Sequence, residues 1–338
     1  MSVPCKTLAP TDFLSFMRIL IVKTSSMGDI VHALPMVSDI ARARPEAVID
    51  WVCEEGFAVL PRLSSHVREV RKVALRRWRK HLFSGATWRE VEVARGELRA
   101  GHYDLVIDAQ GLLKSALMAG WTGRPVVGFA SGSARERFAA WFYEKSYEIP
   151  YDQAALVRCR ELAAQALGYS VEGPPRFDLR AEGRAAVEVS GDYAVLLVNA
   201  SRATKLWPEE RWIELGRWLG QRGLRCLFFW GAPEEGERAH RIAAALEDAV
   251  VAPRAGLDAI AVNLAAARLV VGLDTGLTHL AAALGRPCVG IFCDYPVERV
   301  ALVGDGPVAS LGGVNVQPPV AEVIAACESV WWIADQGR

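Results

Sequence analysis

One pattern runs twice along this chain, and it narrows the possible folds more than any other feature. Short runs rich in apolar and β-branched residues alternate with helix-like stretches. They fall first at 18–23, 48–53, 69–74, 105–109 and 126–129, then at 193–199, 224–230, near Val250, 269–273 and 288–292. In the second series helices are expected from Pro208, from about Glu235, from Leu257 and from Leu277. Such alternation predicts α/β architecture with parallel sheets. Between the series, from Gly168 to Asp192, the composition turns to Gly, Pro, Glu and Arg, and Gly173-Pro174-Pro175 suits neither a strand nor a helix interior. The chain therefore reads as two Rossmann-like domains facing each other across a cleft. The first spans 17–170, a linker region 171–192, the second domain 193–318, and a C-terminal segment 319–338 holds an amphipathic helix over 320–333. Residues 1–16 read as an extension. Ligands of open α/β sheets bind beyond the carboxyl ends of the strands, so the site is expected between the domains.

Composition removes several classes of function. The 338 residues allow two domains with a core each. Lys plus Arg and Asp plus Glu both number 39, so the global basic footprint of a nucleic-acid binder is missing, and an anionic partner must meet a local patch. Seven scattered cysteines without a C-x-x-C pair argue against a disulfide framework or structural zinc and for a reducing compartment. No apolar run approaches the roughly 18–20 residues that span a bilayer, and the N-terminus lacks the layout of a secretory signal. A cytosolic protein is expected.

Five segments carry chemistry. In Lys23-Thr24-Ser25-Ser26-Met27-Gly28-Asp29, a turn opening into a helix, Asp29 is either a helix cap or a general base facing the cleft, and His32 reads as a packed histidine. In Asp274-Thr275-Gly276-Leu277-Thr278-His279, free amides at Thr275, Gly276 and Leu277 make an anion site suited to a diphosphate, with Asp274 a cap or a sugar ligand. In the loop Ser201 to Pro208, Lys205 is either a solvated lysine or a cation that neutralises a leaving diphosphate. Glu234 and Glu235 follow the strand ending at Trp230, where a carboxylate can clasp a ribose or simply supply charge to a helix start. The run Arg71-Lys-Val-Ala-Leu-Arg-Arg-Trp-Arg-Lys80 concentrates six cations and suits an anionic substrate. There is no P-loop, and the one G-x-G-x-x-A match, Gly304 to Ala309, leads into no helix. The lack of a D-x-D pair or a Cys/His cluster points to metal-independent chemistry.

The stretches Met17-Arg-Ile-Leu-Ile-Val-Lys-Thr-Ser-Ser-Met-Gly-Asp29, Trp51-Val-Cys-Glu-Glu-Gly-Phe57, Arg76-Arg-Trp-Arg-Lys80, Asp108-Ala-Gln-Gly-Leu112, Lys205-Leu-Trp-Pro-Glu-Glu210 and Asp274-Thr-Gly-Leu-Thr-His-Leu280 occur in one order over most of 17–290. In these the chain resembles the ADP-heptose:lipopolysaccharide heptosyltransferases of glycosyltransferase family 9, type I in particular. The resemblance implies a GT-B fold and inverting transfer of L-glycero-D-manno-heptose from ADP-heptose to the first Kdo of Kdo2-lipid A, with no cofactor or metal. It makes Asp29 the base that activates the acceptor hydroxyl. It puts Lys205 and the turn Thr275, Gly276 and Leu277 on the donor diphosphate, with Ser201, Glu235, Asp274 and His279 also on the donor side. Arg76, Arg77, Arg79, Lys80 and Arg135 fall on the acceptor side, with Lys114 a further candidate. Peripheral contact with the inner face of the inner membrane is the implied location. Two departures stand out. Asp294-Tyr-Pro-Val-Glu-Arg-Val-Ala-Leu-Val303 replaces a Gly-Pro-Thr-Asp-Pro-like segment, and Ala255 stands where a larger apolar residue often flanks the adenine. The competing readings are transfer to another core position, a non-catalytic nucleotide-sugar or carbohydrate-binding module, and a nicotinamide oxidoreductase, against which the missing Gly-rich fingerprint after the first strand counts.

Overall fold

The computed structural model describes residues 16–336, so the expected extension, Phe16 apart, lies outside the described residues. One sheet holds β1 (Arg18–Val22), β2 (Val48–Glu54), β3 (Val67–Val73), β4 (Leu105–Asp108), β5 (Val126–Phe129) and β6 (Lys145–Tyr147). The other holds β7 (Tyr193–Leu197), β8 (Arg225–Phe228), β9 (Val250–Val251), β10 (Leu269–Leu273), β11 (Cys288–Phe292) and β12 (Val308–Gly312). All pairings between these strands are parallel. The orders are β3-β2-β1-β4-β5-β6 and β12-β11-β10-β7-β8-β9. Counted from the first strand of each sheet, the two orders are identical. Each sheet therefore reverses direction once, between β1 and β4 and between β7 and β10, and a crevice opens at the carboxyl end of such a reversal.

The central strands are apolar along their whole length because helices cover both faces; Ile19, Leu20, Ile21 and Val22 of β1 are all fully buried. The edge strands β6 and β12 were not anticipated. Lys145–Tyr147 has two exposed residues of three, and Val308–Gly312 emerges from the Gly-rich run at 304–309, pairing Val308 with Cys288. Neither carries the continuous apolar signature of a buried strand. Helix starts are set locally. Pro208 caps the helix Glu209–Gln221 instead of opening it, while Pro233 takes the first turn of Pro233–Ala243. The last helix runs Val320–Gln336 and buries Val320, Val323, Cys327 and Val330 against the second sheet's layer.

Residues 171–192 contain no helix or strand, only an isolated bridge between Ser64 and Leu179. The segment is nevertheless fixed to both halves. Phe177 is fully buried, its amide donates to the Asp305 carboxylate (3.0 Å), and its carbonyl accepts from the Ser38 hydroxyl (3.4 Å). A single apolar cluster runs through both halves, and each half has a second cluster on the far side of its sheet. The cysteines among the described residues are free and buried, and no helix among them is long and apolar enough to cross a membrane.

Candidate active site

The turn after β1 is fixed by the turn after β4. Lys23 is buried and its Nζ donates to the Ala109 carbonyl at 2.8 Å, while Gln110 Oε1 accepts from the amides of Thr24 (3.0 Å) and Ser25 (3.2 Å). Asp108, fully buried, anchors this second turn by accepting from the Gln110 amide and from the hydroxyls of Ser115 and Tyr143. Asp29 is the third residue of the helix Met27–Ala33, and its carboxylate accepts from the Ser26 amide (2.9 Å) and hydroxyl (3.0 Å). The capping reading is thus realised as the returning half of a capping box. It does not hide the group, which still faces the cleft. Burial pushes the Asp29 pKa up, but Lys23, the Ser26 hydrogen bonds and Arg135, whose Nη1 lies 3.7 Å away, together bring it below the ordinary carboxylate value.

The turn after β10 meets it from the other half. Thr275 caps the helix Gly276–Ala283, and a Cβ on Gly276 would stand 2.5 Å from Cγ of Met27, so only glycine lets the two helix starts abut. Asp274 accepts from Lys205 Nζ at 2.5 Å, and His279 Nε2 lies 3.6 Å from its other oxygen. Burial opposes ionisation of Asp274, yet His279 and Lys205 outweigh it and bring its pKa down to about 2. His279 Nδ1 faces His32 Nε2 at 3.1 Å, joining the halves through two imidazoles packed edge to face. Burial, reinforced by His279, lowers His32 to about 3, so it is neutral at physiological pH.

Between the halves lies a cavity of about 700 Å³. Asp29 and His32 border it from the first half, and Ser201, Lys205, Glu235, Asp274, His279 and the turn Thr275, Gly276 and Leu277 border it from the second. Every donor-side candidate is therefore assembled around one space. Glu235 sits there with one carboxylate oxygen already accepting from the amides of Gly231 (2.8 Å) and Ala232 (3.1 Å), the helix-start arrangement weighed above. Asn199, Trp230 and Arg254 also line this space and were missed, and Ala255 lines it too. A smaller cavity of about 240 Å³ adjoins it, and Asp29, Ala155 and Val300 border both. Three cations, Lys23, Arg135 and Arg158, surround the smaller one. Arg158 is sandwiched between Phe129 (4.6 Å) and Tyr151 (4.7 Å) and donates to the Ser133 carbonyl.

Of the acceptor-side candidates only Arg135 reaches these cavities. Arg76, Arg77, Arg79 and Lys80 lie on the helix Leu75–Lys80 and line neither. Arg77 is engaged by Glu55 and Glu90, Arg76 lies over Phe57 at 5.2 Å, and Arg79, Lys80 and Lys114 are exposed. Among the described residues no three His, Cys, Asp or Glu side chains group as metal ligands.

Residues 93–321 match the model of glycosyltransferase family 9 (heptosyltransferase). The chain is 45% identical over 278 residues to lipopolysaccharide heptosyltransferase 1 of Pseudomonas aeruginosa, covering 82% of this chain and 78% of that protein. With the Escherichia coli K12 protein of the same name it shares 43% identity over 286 residues, covering 82% and 88%. The chain belongs to glycosyltransferase family 9. It is a glycosyltransferase, and its two parallel sheets have the GT-B arrangement of the family: the solved structure of E. coli heptosyltransferase WaaC with ADP matches with a TM-score of 0.85 at 39% identity, over 93% of this chain and 99% of that one.

Proposed function

We propose that this family 9 glycosyltransferase transfers L-glycero-D-manno-heptose from ADP-heptose to the first Kdo of Kdo2-lipid A in building the lipopolysaccharide inner core, with inversion and without a metal. The reading rests on Asp29, a carboxylate bordering both a nucleotide-sized cavity and a smaller cationic one. The donor occupies the larger cavity, its diphosphate against the amides at the start of the helix Gly276–Ala283 and beside Lys205, which Asp274 holds in the cleft. As the glycosidic bond breaks, negative charge grows on ADP, and these fixed N–H groups and the ammonium stabilise it there. The acceptor sugar enters from the smaller cavity, where Lys23, Arg135 and Arg158 complement its carboxylate. Asp29 takes the proton of the attacking hydroxyl. Attack from the side opposite the leaving ADP inverts the anomeric centre, which requires only this one base. A lipid-anchored acceptor implies a peripheral position at the inner face of the inner membrane.

The test is incubation with ADP-heptose and Kdo2-lipid A, with and without a chelator, following ADP release and the product's mass. Chelator-insensitive release with one heptose added is expected. Transfer only to an acceptor that already carries heptose would move the enzyme to another core position, and turnover of NAD would overturn the assignment.

A further inference from the structure

Asp29, Lys205 and the donor cavity leave unexplained a rim of exposed aromatic residues on the first domain. Phe83 is fully exposed, and Leu82 and Trp88 beside it are half exposed. Trp88 Nε1 donates to the Leu82 carbonyl at 2.8 Å, which fixes this loop as a knob. A second knob is formed by Phe138, Trp141 and Phe142, with Trp141 exposed over three quarters of its surface and stacked edge-on against Phe138 at 4.9 Å. Leu113 and Leu117, also exposed, lie on the neighbouring helix Leu113–Gly120.

These knobs belong to one layer. Trp78, Ala94, Leu98, Met118 and Ala119 share one apolar cluster on the same face of the first sheet. The helices Gly85–Ala100 and Leu113–Gly120 are tied together at their carboxyl ends, where Arg99 Nε donates to the Trp121 carbonyl at 3.2 Å. Both helices start after the carboxyl end of a strand, so their exposed starts open on the side of the cleft. Charge is concentrated there too: residues 75–89 carry five Lys or Arg and no carboxylate, and although Arg77 is paired with Glu55 and Glu90, Arg79, Lys80 and Arg89 stay exposed. Exposed Arg79, Lys80, Arg89, Lys114 and Arg137 flank the two knobs. The rim reaches the smaller cavity through Arg135, next to the second knob and 3.7 Å from Asp29.

We infer that this rim is a lipid-surface docking face, in which the two aromatic knobs enter the headgroup and acyl boundary while the flanking cations meet anionic headgroups. Exposed Trp and Phe tips beside Lys and Arg match an interfacial membrane contact, since aromatic side chains favour that depth and cations are drawn to anionic leaflets. Exposed cations interleaved with aromatic tips complement an anionic leaflet, which attracts Lys and Arg near its surface. The inference takes its orientation from the proposed lipid-anchored acceptor: docking by this face would point the smaller cavity toward the membrane.

The experiment is flotation of the full chain with vesicles of phosphatidylethanolamine and phosphatidylglycerol, and with phosphatidylcholine alone, comparing wild type with Phe83→Ser/Trp141→Ser. Wild type should float with the anionic vesicles, weakly with phosphatidylcholine, and less at high salt. The double variant should bind at least about tenfold more weakly, keep its thermal midpoint and ADP affinity, lose turnover on vesicle-embedded acceptor and retain it on an acceptor stripped of acyl chains. A variant that floats like wild type, or a wild type that ignores anionic vesicles, would overturn the inference. So would a wild-type dimer that the variant converts to a monomer, because the rim would then be a self-interface. If neither acceptor is turned over while wild type still floats and the variant does not, the docking face stands and the proposed transfer fails.

Discussion

The turns after β1 and β10 each open a short helix and place an aspartate at its start, Asp29 and Asp274, and each helix carries a histidine further along, His32 in the last turn of the first and His279 in the second. The two carboxylates are nevertheless held differently. Asp274 has an ammonium at 2.5 Å and an imidazole at 3.6 Å. Among the described residues Asp29 accepts hydrogen bonds only from the amide and hydroxyl of Ser26, and the nearest guanidinium is 3.7 Å away. Protonating Asp274 would strand Lys205 beside a neutral acid, whereas Asp29 can take a proton and keep a hydroxyl donor beside it. One turn positions charge, and its counterpart is left free for chemistry.

The comparison is broken most directly at Asp29. Asp29→Ala should lower transfer by ~10²–10⁴ if general-base catalysis is the lost contribution, while ADP binding measured by calorimetry stays near wild type. Unchanged turnover would remove Asp29 from its role. Burial raises the Asp29 pKa, but Lys23, the Ser26 hydrogen bonds and Arg135 outweigh it and hold the carboxyl below the ordinary carboxylate value, so it gives up its ionised form later than an ordinary carboxylate as pH falls. The acid limb of kcat/KM should therefore lie on the acid side of an ordinary carboxylate's, and a limb near neutrality would assign the base elsewhere.

Lys205→Ala should cost roughly 10²–10³ in kcat/KM, the scale of losing one stabilising donor to a developing anion. It should also weaken ADP binding, which Asp29→Ala should not. A smaller change is expected for Asp274→Asn, which keeps the shape of the side chain but frees Lys205 from its 2.5 Å contact. A positioning role predicts about a tenfold rise in KM with a smaller fall in kcat, and a loss confined to kcat would instead make Asp274 a participant in the chemistry.

The sequence was most informative where burial and local turn chemistry coincide. The central strands are continuous apolar runs because both their faces are covered, and strand-to-helix turns with Asp, Thr and Gly at the carboxyl ends announce a cleft. The lining of the larger cavity was legible for this reason, since Ser201, Lys205, Glu235, Asp274, Thr275, Gly276, Leu277 and His279 all follow strand ends and converge on it. The smaller cavity was harder to read. Arg158 lies inside the helix Ala155–Leu167, and only the packing of that helix turns it toward Asp29. Lys23 stands in the turn after β1, but its burial and its bond to Ala109 depend on pairing β1 with β4, 86 residues apart. The basic run was visible as charge, yet a charge run does not reveal that Arg77 is engaged by Glu55 and Glu90, which are placed by other elements.

The pairing of His32 with His279 offers the mildest test, because it probes how the two turns are joined and not what they do. His32 has a pKa of 6.5 when unconstrained and about 3 in the folded protein. Well above pH 6.5 the imidazole is neutral both folded and unfolded, and its titration then contributes nothing to the pH dependence of stability. As pH falls from 6.5 toward 3, the unfolded chain binds a proton that the folded chain refuses, so stability is lost across that window. His32→Asn removes this titration while keeping a polar group opposite His279. At neutral pH it should cost only about 1 kcal/mol, the scale of one altered hydrogen bond. Denaturant midpoints followed from neutral to acid pH should then fall less steeply in the variant than in wild type. Equal slopes would mean that the acid sensitivity arises from other groups and that the imidazole contact merely fills space between the helix starts.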